Sequence, residues 1–217
     1  MGFGESLLAI PLLTMVLGIQ TAAPLVSLMA ASITALIVLQ NWQQMEFRST
    51  WKLLLGALIG VPVGAWGLSQ LPEVWLRNGL GVLLIAIGLY YLTKPKLGAL
   101  HGGGWAYGFG FLAGMFGGAY NMASPPVVVY GAMRRWPPDH FRVMLQGFFL
   151  PVSLMILFSH ASAGLWTREV LGLFALSIPV MGLAYWLGTR FNRTMSVQDF
   201  ERILYGGMIV LGIMLLV

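Results

Sequence analysis

Residues 108–136 read GFGFLAGMFGGAYNMASPPVVVYGAMRRW, in which glycine-rich apolar sequence meets a polar interruption and paired prolines. Gly110, Gly114 and Gly118 recur every four residues, the spacing that lets two helices approach closely in lipid. The sequence NMASPP that follows interrupts the apolar run. Non-helical backbone at membrane depth persists only where protein or a water-filled cavity satisfies its polar groups. The stretch therefore predicts two helices joined by a break inside a membrane protein, with close packing as the simpler explanation of the glycines.

The composition of the whole chain excludes a soluble globular fold. Hydrophobic residues make up 58% of the 217 residues, charged residues make up 9%, and the mean hydropathy is +0.82. Soluble domains carry about 25% charged residues, because their surface faces water. The net charge of +5 is spread over short loops without a phosphate-tracking patch, so nucleic acid is not an expected partner. The chain has no cysteine, which excludes disulfides and thiolate metal sites.

Apolar runs separated by polar residues, proline or glycine divide the chain into nine segments. The predicted fold is therefore all-α, a polytopic membrane helix bundle with helices broken by glycine and proline. The segments lie near 4–19, 22–40, 53–71, 76–92, 104–118, 123–133, 143–160, 170–188 and 203–217. Most of them approach the roughly 20 residues that span a bilayer as a helix. They show no sustained alternation of apolar and polar residues, which argues against strands.

The basic residues predict the orientation of this bundle. If every segment crosses the membrane, ten of the 12 basic residues fall on one side, and the other two, Arg77 and Arg168, fall on the opposite side. The positive-inside rule places the richer side in the cytoplasm. We therefore expect a multi-pass protein of the cell membrane, of the bacterial inner-membrane type, with its N-terminus inside and the lipid bilayer as its surroundings.

The two halves of the chain resemble each other. Three pairs of segments match: 2–13 with 116–129, 60–66 with 177–186, and 76–89 with 201–215. In the predicted topology the members of each pair run in opposite directions, as in the inverted repeats of secondary transporters. We predict one transmembrane domain over 1–217, with one half at about 1–93 and the other at about 102–217. The second half has an additional segment, 104–118, whose counterpart is expected before Met1.

The break offers a candidate anion site. Pro125 and Pro126 suit the first turn of a restarting helix, where a missing N–H costs little. Free amides of that turn, at the positive end of the helix dipole, would bind an anion. The segment Gly2–Ser6, which leads to Pro11, is predicted to supply a second such start; the alternative is a kink that lines nothing. The predicted substrate-binding residues of the two breaks are Gly4, Ser6, Gly117, Gly118, Asn121, Ser124, Pro125 and Pro126.

Few ionisable residues accompany these breaks. Glu5 is the acidic residue beside them, and it is either a proton-coupling carboxylate or a solvated group near the terminus. Arg142 and Gln146 lie one helical turn apart and complete the predicted substrate-binding set. For Arg134 and Arg135, orientation by the positive-inside rule is the favoured explanation. The three histidines have no metal-ligand spacing, so no metal and no other cofactor is expected.

The string GGAYNMASPPVVVYGAMRRWPPDHFRVMLQGFFLP at 117–151 resembles the second-half signature of the sulfite exporter (TauE/SafE) family of transmembrane permeases. GFGESLLAIPLL at 2–13 resembles the first-half signature, and the similarity covers nearly the whole chain. Glu5 departs from the family, which usually has glycine there. The resemblance implies transport of small sulfur-containing or carboxylate anions, such as sulfite, sulfonates, thiosulfate or lactate. The residues that match motif positions are Asn121, Pro125, Pro126, Tyr130, Arg142 and Gln146.

The sequence thus predicts a secondary membrane transporter, a permease for small organic or sulfur-containing anions. No GxxxxGK[ST] phosphate loop is present, so the expected energy source is an ion gradient, with a proton as the candidate coupling ion. A non-transporting or truncated membrane subunit is the alternative. An intramembrane enzyme is less favoured, because HExxH, GxSxG and paired intramembrane aspartates are absent. Assembly as a homo-oligomer is left open.

Overall fold

The computed structural model describes residues 4–41, 50–93, 95, 98–100, 102–191 and 197–217. Within these ranges, the side chains of the following residues are not described: 4–6, 35–41, 138–140, 142–143, 146, 185–191 and 197–202. Every regular element in these ranges is a helix, which confirms the predicted all-α fold. The helices are α1 (Gly4–Leu17), α2 (Ile19–Asn41), α3 (Trp51–Gln70), α4 (Glu73–Thr93), α5 (Trp105–Tyr120), α6 (Ser124–Met133), α7 (Pro138–Ser162), α8 (Arg168–Phe191) and α9 (Val197–Leu216).

The helices fall into long and short groups. α2, α3, α4, α7, α8 and α9 have between 20 and 25 residues. At 1.5 Å per residue such helices are about 30–38 Å long, which matches the hydrocarbon core of a bilayer. By length and apolar composition together, α3 and α4 qualify as membrane spans among the described residues. α1, α5 and α6 are shorter, with 14, 16 and 10 residues.

Glycines make the most extensive helix contact, which joins α3 to α5. Gly60 lies against the carbonyl oxygen of Phe111, and Gly64 lies against that of Met115, so closely that a Cβ at either glycine would overlap the backbone. Such contacts confirm close packing as a role of the predicted glycine stripe of α5, which packs on a second stripe, Gly56, Gly60 and Gly64, of α3. Because higher residue numbers in α3 meet higher numbers in α5, these two helices run parallel.

The second close helix pair is α4 with α9. A Cβ placed at Gly81 would lie 2.8 Å from the carbonyl oxygen of Gly212, and one at Gly88 would lie 2.9 Å from that of Tyr205. Tyr91 stacks on Tyr205 with ring centroids 4.6 Å apart. Residue numbers rise along α4 as they fall along α9, so this pair is antiparallel.

Two hydrophobic clusters form the interior. One joins residues of α1, α2, α4 and α9 to the end of α5, and the other joins α3, α5, α6 and α7. Outside them the bundle exposes large apolar side chains, among them Phe158 at 77% and Leu176 at 72% exposure. A surface of this kind would aggregate in water and is solvated by lipid chains.

Candidate functional site

The predicted break lies between α5 and α6. After Tyr120, the last residue of α5, Asn121 adopts a left-handed conformation with φ of 51°. The N–H of Asn121 donates to the carbonyl oxygen of Gly117 at 2.8 Å, and the N–H of Met122 donates to that of Phe116 at 3.1 Å. Asparagine is one of the few residues besides glycine that adopt this conformation routinely. The backbone therefore supplies a reason for asparagine at this position, independent of any ligand.

The start of α6 is poor in amide donors. Pro125 and Pro126 follow Ser124, the first residue of the helix, and proline has no N–H. Of the four donors that a helix start normally leaves free, those of Ala123 and Ser124 are left here. Both prolines are buried and Ser124 is half-buried. Two amides and the helix dipole are thus what this turn can offer an anion, fewer donors than an ordinary helix start.

The two glycines before the break bring α5 against different neighbours. A Cβ at Gly118 would overlap the carbonyl oxygen of Val61 in α3 and would lie 2.9 Å from the amide nitrogen of Ala65. A Cβ at Gly117 would lie 3.0 Å from Cδ1 of Ile156 in α7. Because neither position has space for a side chain, the backbone of the break rests directly on α3 and α7.

His160 of α7 is fully buried beside this break. Its Nε2 lies 2.7 Å from the carbonyl oxygen of Gly118, and its Nδ1 lies 3.1 Å from Oγ of Ser27 in α2. Since a carbonyl oxygen only accepts, Nε2 carries a hydrogen and donates it. The histidine thus joins the end of α5 to α2. Sequence reasoning missed this bridge, because its members are far apart in the chain and have no motif spacing.

Ser27 has one hydroxyl hydrogen for two neighbours. Its Oγ lies 2.8 Å from the carbonyl oxygen of Pro24 as well as close to His160. When Nδ1 carries no hydrogen, the hydroxyl donates either to Nδ1 or to the Pro24 carbonyl. The other acceptor then receives no hydrogen bond from Ser27. With Nδ1 protonated, the ring donates to Oγ and Oγ donates to Pro24. Because the Pro24 carbonyl lies inside α2 and has a helical amide donor, a neutral ring whose Nδ1 accepts from the Ser27 hydroxyl leaves no member of the bridge unpaired.

Apolar residues of α1 and α4 enclose the break on another side. The hydroxyl of Tyr120 reaches α4, where a Cβ at Gly79 would lie 2.7 Å from it. Tyr120 and Met122 belong to the same hydrophobic cluster as Leu7 and Ile10 of α1. The break therefore lies where α1, α3, α4 and α7 meet, with a polar bridge among otherwise apolar contacts.

The helix start predicted for Gly2–Ser6 is described from Gly4 onward, where α1 begins. The helix Gly4–Leu17 already includes the second part of that segment and continues through Pro11. One proline removes one helical hydrogen bond, which neighbouring groups in a membrane bundle can compensate, whereas the tandem Pro125–Pro126 would remove two. Among the described residues of this half, Gly18 separates α1 from α2, with φ of 77°. The role of Gly4 and Ser6 as a second anion-binding helix start stays a prediction.

The remaining predicted site residues lie on helices whose side chains are in part outside the described structure. Arg142 and Gln146 are one turn apart in α7, but their side chains are not described, nor are those of Glu5 and Ser6. Their roles in substrate binding and proton coupling stay predictions. Among the residues whose placement is described, no group of three or more His, Cys, Asp or Glu side chains could hold a metal ion.

Known proteins resemble this chain over nearly its whole length. The sequence model of a family described as sulfite exporter TauE/SafE matches residues 1–215. The chain is 26% identical over 198 residues to a protein of Cupriavidus necator named as a probable sulfite/organosulfonate exporter TauE. That match covers 89% of this chain and 77% of the relative. No solved structure matches the chain.

Proposed function

The chain belongs to the sulfite exporter TauE/SafE family, and on this basis we propose that it is a secondary permease for sulfite and organosulfonates. Members of this family are transporters, so the chain is a membrane transporter and not an enzyme. The substrate class comes from the relative in Cupriavidus necator, whose name specifies sulfite and organosulfonates. Small organic anions of similar size, such as short carboxylates, belong to the same proposal.

The polar bridge at the break is the observation that carries this proposal. A buried ionisable side chain in an apolar bundle is a functional-site hypothesis by default, because its desolvation is costly. His160 contacts Gly118 of α5 and Ser27 of α2. The sequence repeat assigns α2 to one half and α5 to the other, so the bridge lies between the halves that alternating access would move. We propose that the anion binds at the break beside this bridge, near Asn121 and Ser124.

We further propose a multi-pass topology in the inner membrane, with the N-terminus of the chain inside. Alternate crossing requires the third and fifth segments to run parallel and the fourth and ninth to run antiparallel, and the α3–α5 and α4–α9 pairs have these directions. The chain contains no cysteine, so single cysteines report topology without background. Ala99→Cys should react with a membrane-impermeant maleimide from the cytoplasmic side, and Ala161→Cys from the outer side. Labelling of both from one side would contradict the topology.

Flux through liposomes tests the function itself. Purified protein is reconstituted, and uptake of ³⁵S-labelled sulfite and methanesulfonate is followed with and without excess unlabelled anion. A carrier gives saturable flux that the unlabelled anion inhibits, whereas a non-transporting subunit gives the same leak as empty liposomes. Empty liposomes and liposomes with Asn121→Leu are the controls. The permease proposal is contradicted if flux rises linearly with anion concentration and equals the flux of the controls.

A further inference from the structure

A second polar feature lies at the far end of α5 from the break. A cavity of about 270 Å³ is bounded by the first turns of α3 and α5 and by the end of α6. The rings of Trp51, Tyr130 and Trp136 form part of its wall. Its volume is close to the lower limit of about 300–1,000 Å³ found for sites of organic ligands. A small organic ion therefore fits this space.

Two cations line the cavity. Lys52 lies in the first turn of α3, and Arg134 follows the last residue of α6. The lysine Nζ lies 5.4 Å from the centroid of the Trp51 ring, and a Cβ at Gly103 would lie 2.6 Å from it, so the amine extends toward the start of α5. No acidic residue is among the described residues that form the wall. The cavity thus has a positive potential that no lining carboxylate neutralises.

Backbone carbonyls hold Arg134 in place without neutralising it. Its Nη1 donates to the carbonyl oxygens of Leu100 at 3.1 Å and Gly102 at 3.4 Å. Its Nε is buried and has no acceptor in the described part of the chain. Because this nitrogen has almost no accessible surface, Arg134 contributes its positive charge to the cavity and not this N–H.

Two helix dipoles add to the positive potential. α3 and α5 run parallel, so both helices begin at this cavity, and Leu53 and Ala106 of their first turns line it. The N-terminal end of a helix carries a partial positive charge and unpaired amides. The two helix starts therefore act in the same direction as the two cations.

The turn after α6 fixes the aromatic wall. Arg135 is left-handed with φ of 52°, the N–H of Trp136 donates to the carbonyl oxygen of Gly131 at 3.2 Å, and the N–H of Arg135 donates to that of Ala132 at 3.1 Å. These paired bonds form a Schellman helix end. The ring of Trp136 then meets that of Tyr130 edge to face, with centroids 5.2 Å apart. The wall is thus held by backbone geometry before any ligand binds.

We propose that this cavity is a cytoplasmic vestibule that binds an organosulfonate before it reaches the break. The sulfonate oxygens would contact Lys52 and Arg134, and the organic part would pack against Trp51 and Trp136. An inorganic oxyanion gains nothing from aromatic walls, so the vestibule favours organosulfonates over sulfite. The inference rests on the proposed permease function. It assigns to Arg134 a ligand contact in place of the orientation role favoured by the sequence.

Equilibrium binding tests the vestibule independently of transport. Calorimetric titrations use the full chain in nanodiscs of zwitterionic lipid, with propane-1-sulfonate, sulfite and dimethyl sulfone as probes. We expect propane-1-sulfonate to bind more tightly than sulfite and the neutral sulfone not to bind. Lys52→Gln and Arg134→Gln should each weaken propane-1-sulfonate binding about tenfold or more, because each removes a charge-assisted contact. Arg135→Gln is the matched control, since Arg135 is exposed and does not line the cavity.

Several outcomes overturn the inference. The inference is wrong if Lys52→Gln binds propane-1-sulfonate as tightly as the wild type does. It is also wrong if Arg135→Gln loses as much affinity as Lys52→Gln. Arg134→Gln also breaks two backbone contacts, so if it does not fold, Lys52→Gln with recovery by Lys52→Arg decides the matter. Nanodiscs with added phosphatidylglycerol test the other source of an anionic group. If the sites bind lipid phosphate and propane-1-sulfonate does not bind even in zwitterionic discs, the vestibule proposal is wrong.

Flux measurements separate this inference from the permease proposal. A vestibule binds substrate and transition state alike, so its variants should raise KM about tenfold and leave kcat unchanged. If the wild type transports and Lys52→Gln changes neither binding nor KM, the vestibule fails and the permease stands. If the wild type binds propane-1-sulfonate through Lys52 but transports no anion, the permease fails and the binding site stands.

Discussion

Ser27 and His160 are joined by a 3.1 Å contact between the serine Oγ and the histidine Nδ1, although 133 residues separate them in the chain. The other ring nitrogen contacts the carbonyl oxygen of Gly118 at 2.7 Å. One fully buried side chain thus connects α2, α5 and α7 at the place where α5 ends. The low dielectric of the interior strengthens these bonds and makes an unpaired member costly.

Removal of this side chain should destabilise the bundle. His160→Leu removes the donor of the Gly118 carbonyl, at a cost of about 1–3 kcal/mol in the free energy of unfolding, while the Ser27 hydroxyl keeps the Pro24 carbonyl as acceptor. Ser27→Ala should cost less, and the double variant should deviate from additivity by about 0.5 kcal/mol or more. Unfolding in mixed detergent measures all three. Ser153→Ala, which removes a local bond within the same helix, is the control. Strict additivity would mean that the two side chains act independently.

The contact of α5 with α3 should not tolerate a single methyl group at Gly118. Gly118→Ala places a Cβ against the backbone of α3, and overpacking of this kind costs about 1–3 kcal/mol. Gly108→Ala is the matched control on the same helix, because nothing lies within 4 Å of its added Cβ. The control should be neutral or gain up to about 1 kcal/mol from helix propensity. Thermal melting of the purified variants measures the difference. Equal melting temperatures for Gly118→Ala and Gly108→Ala would contradict the prediction.

Two substitutions at Asn121 separate its backbone role from its side chain. Asn121→Gly keeps the left-handed conformation and removes the amide, whereas Asn121→Leu loses both. We expect both variants to insert into the membrane and to lose anion flux in liposomes if the amide contacts the substrate as proposed. The expected loss is about tenfold or more for glycine, as for one hydrogen bond to a charged group. Wild-type flux in Asn121→Gly would assign the residue to the helix end alone.

Glu5 tests the proton as the coupling ion. Glutamine mimics the protonated, uncharged carboxyl group, so Glu5→Gln should transport at a rate that no longer responds to a pH gradient. The measurement compares flux with and without an imposed gradient across the liposome membrane. Glu169→Gln, at an exposed position in the first turn of α8, should keep the wild-type response. An unchanged gradient response in Glu5→Gln would return this residue to a solvated position near the terminus.

The locations of the helices and the α5–α6 break were predictable because both depend on local sequence. An apolar run near the length of a bilayer must satisfy its backbone within itself, which leaves the helix as its structure. Tandem prolines must stand at a helix start, as Pro125 and Pro126 do. The spacing of Gly110, Gly114 and Gly118 likewise predicted close packing, since small residues on one face allow a backbone to approach. The single Pro11, by contrast, lies inside α1, because a helix in a membrane bundle tolerates the loss of one hydrogen bond.

The partners of these elements were decided by tertiary structure alone. No sequence spacing relates Ser27 to His160, or Lys52 to Arg134, because each pair meets through helices that pack after their segments have formed. An all-helical membrane bundle with a polar break was predictable before any packing was known, since it follows from the length of the apolar runs and from the tandem prolines. The buried bridge and the cationic cavity could be found only in the folded structure. A contact between residues distant in the chain depends on which helix faces meet, and this is decided when the helices pack.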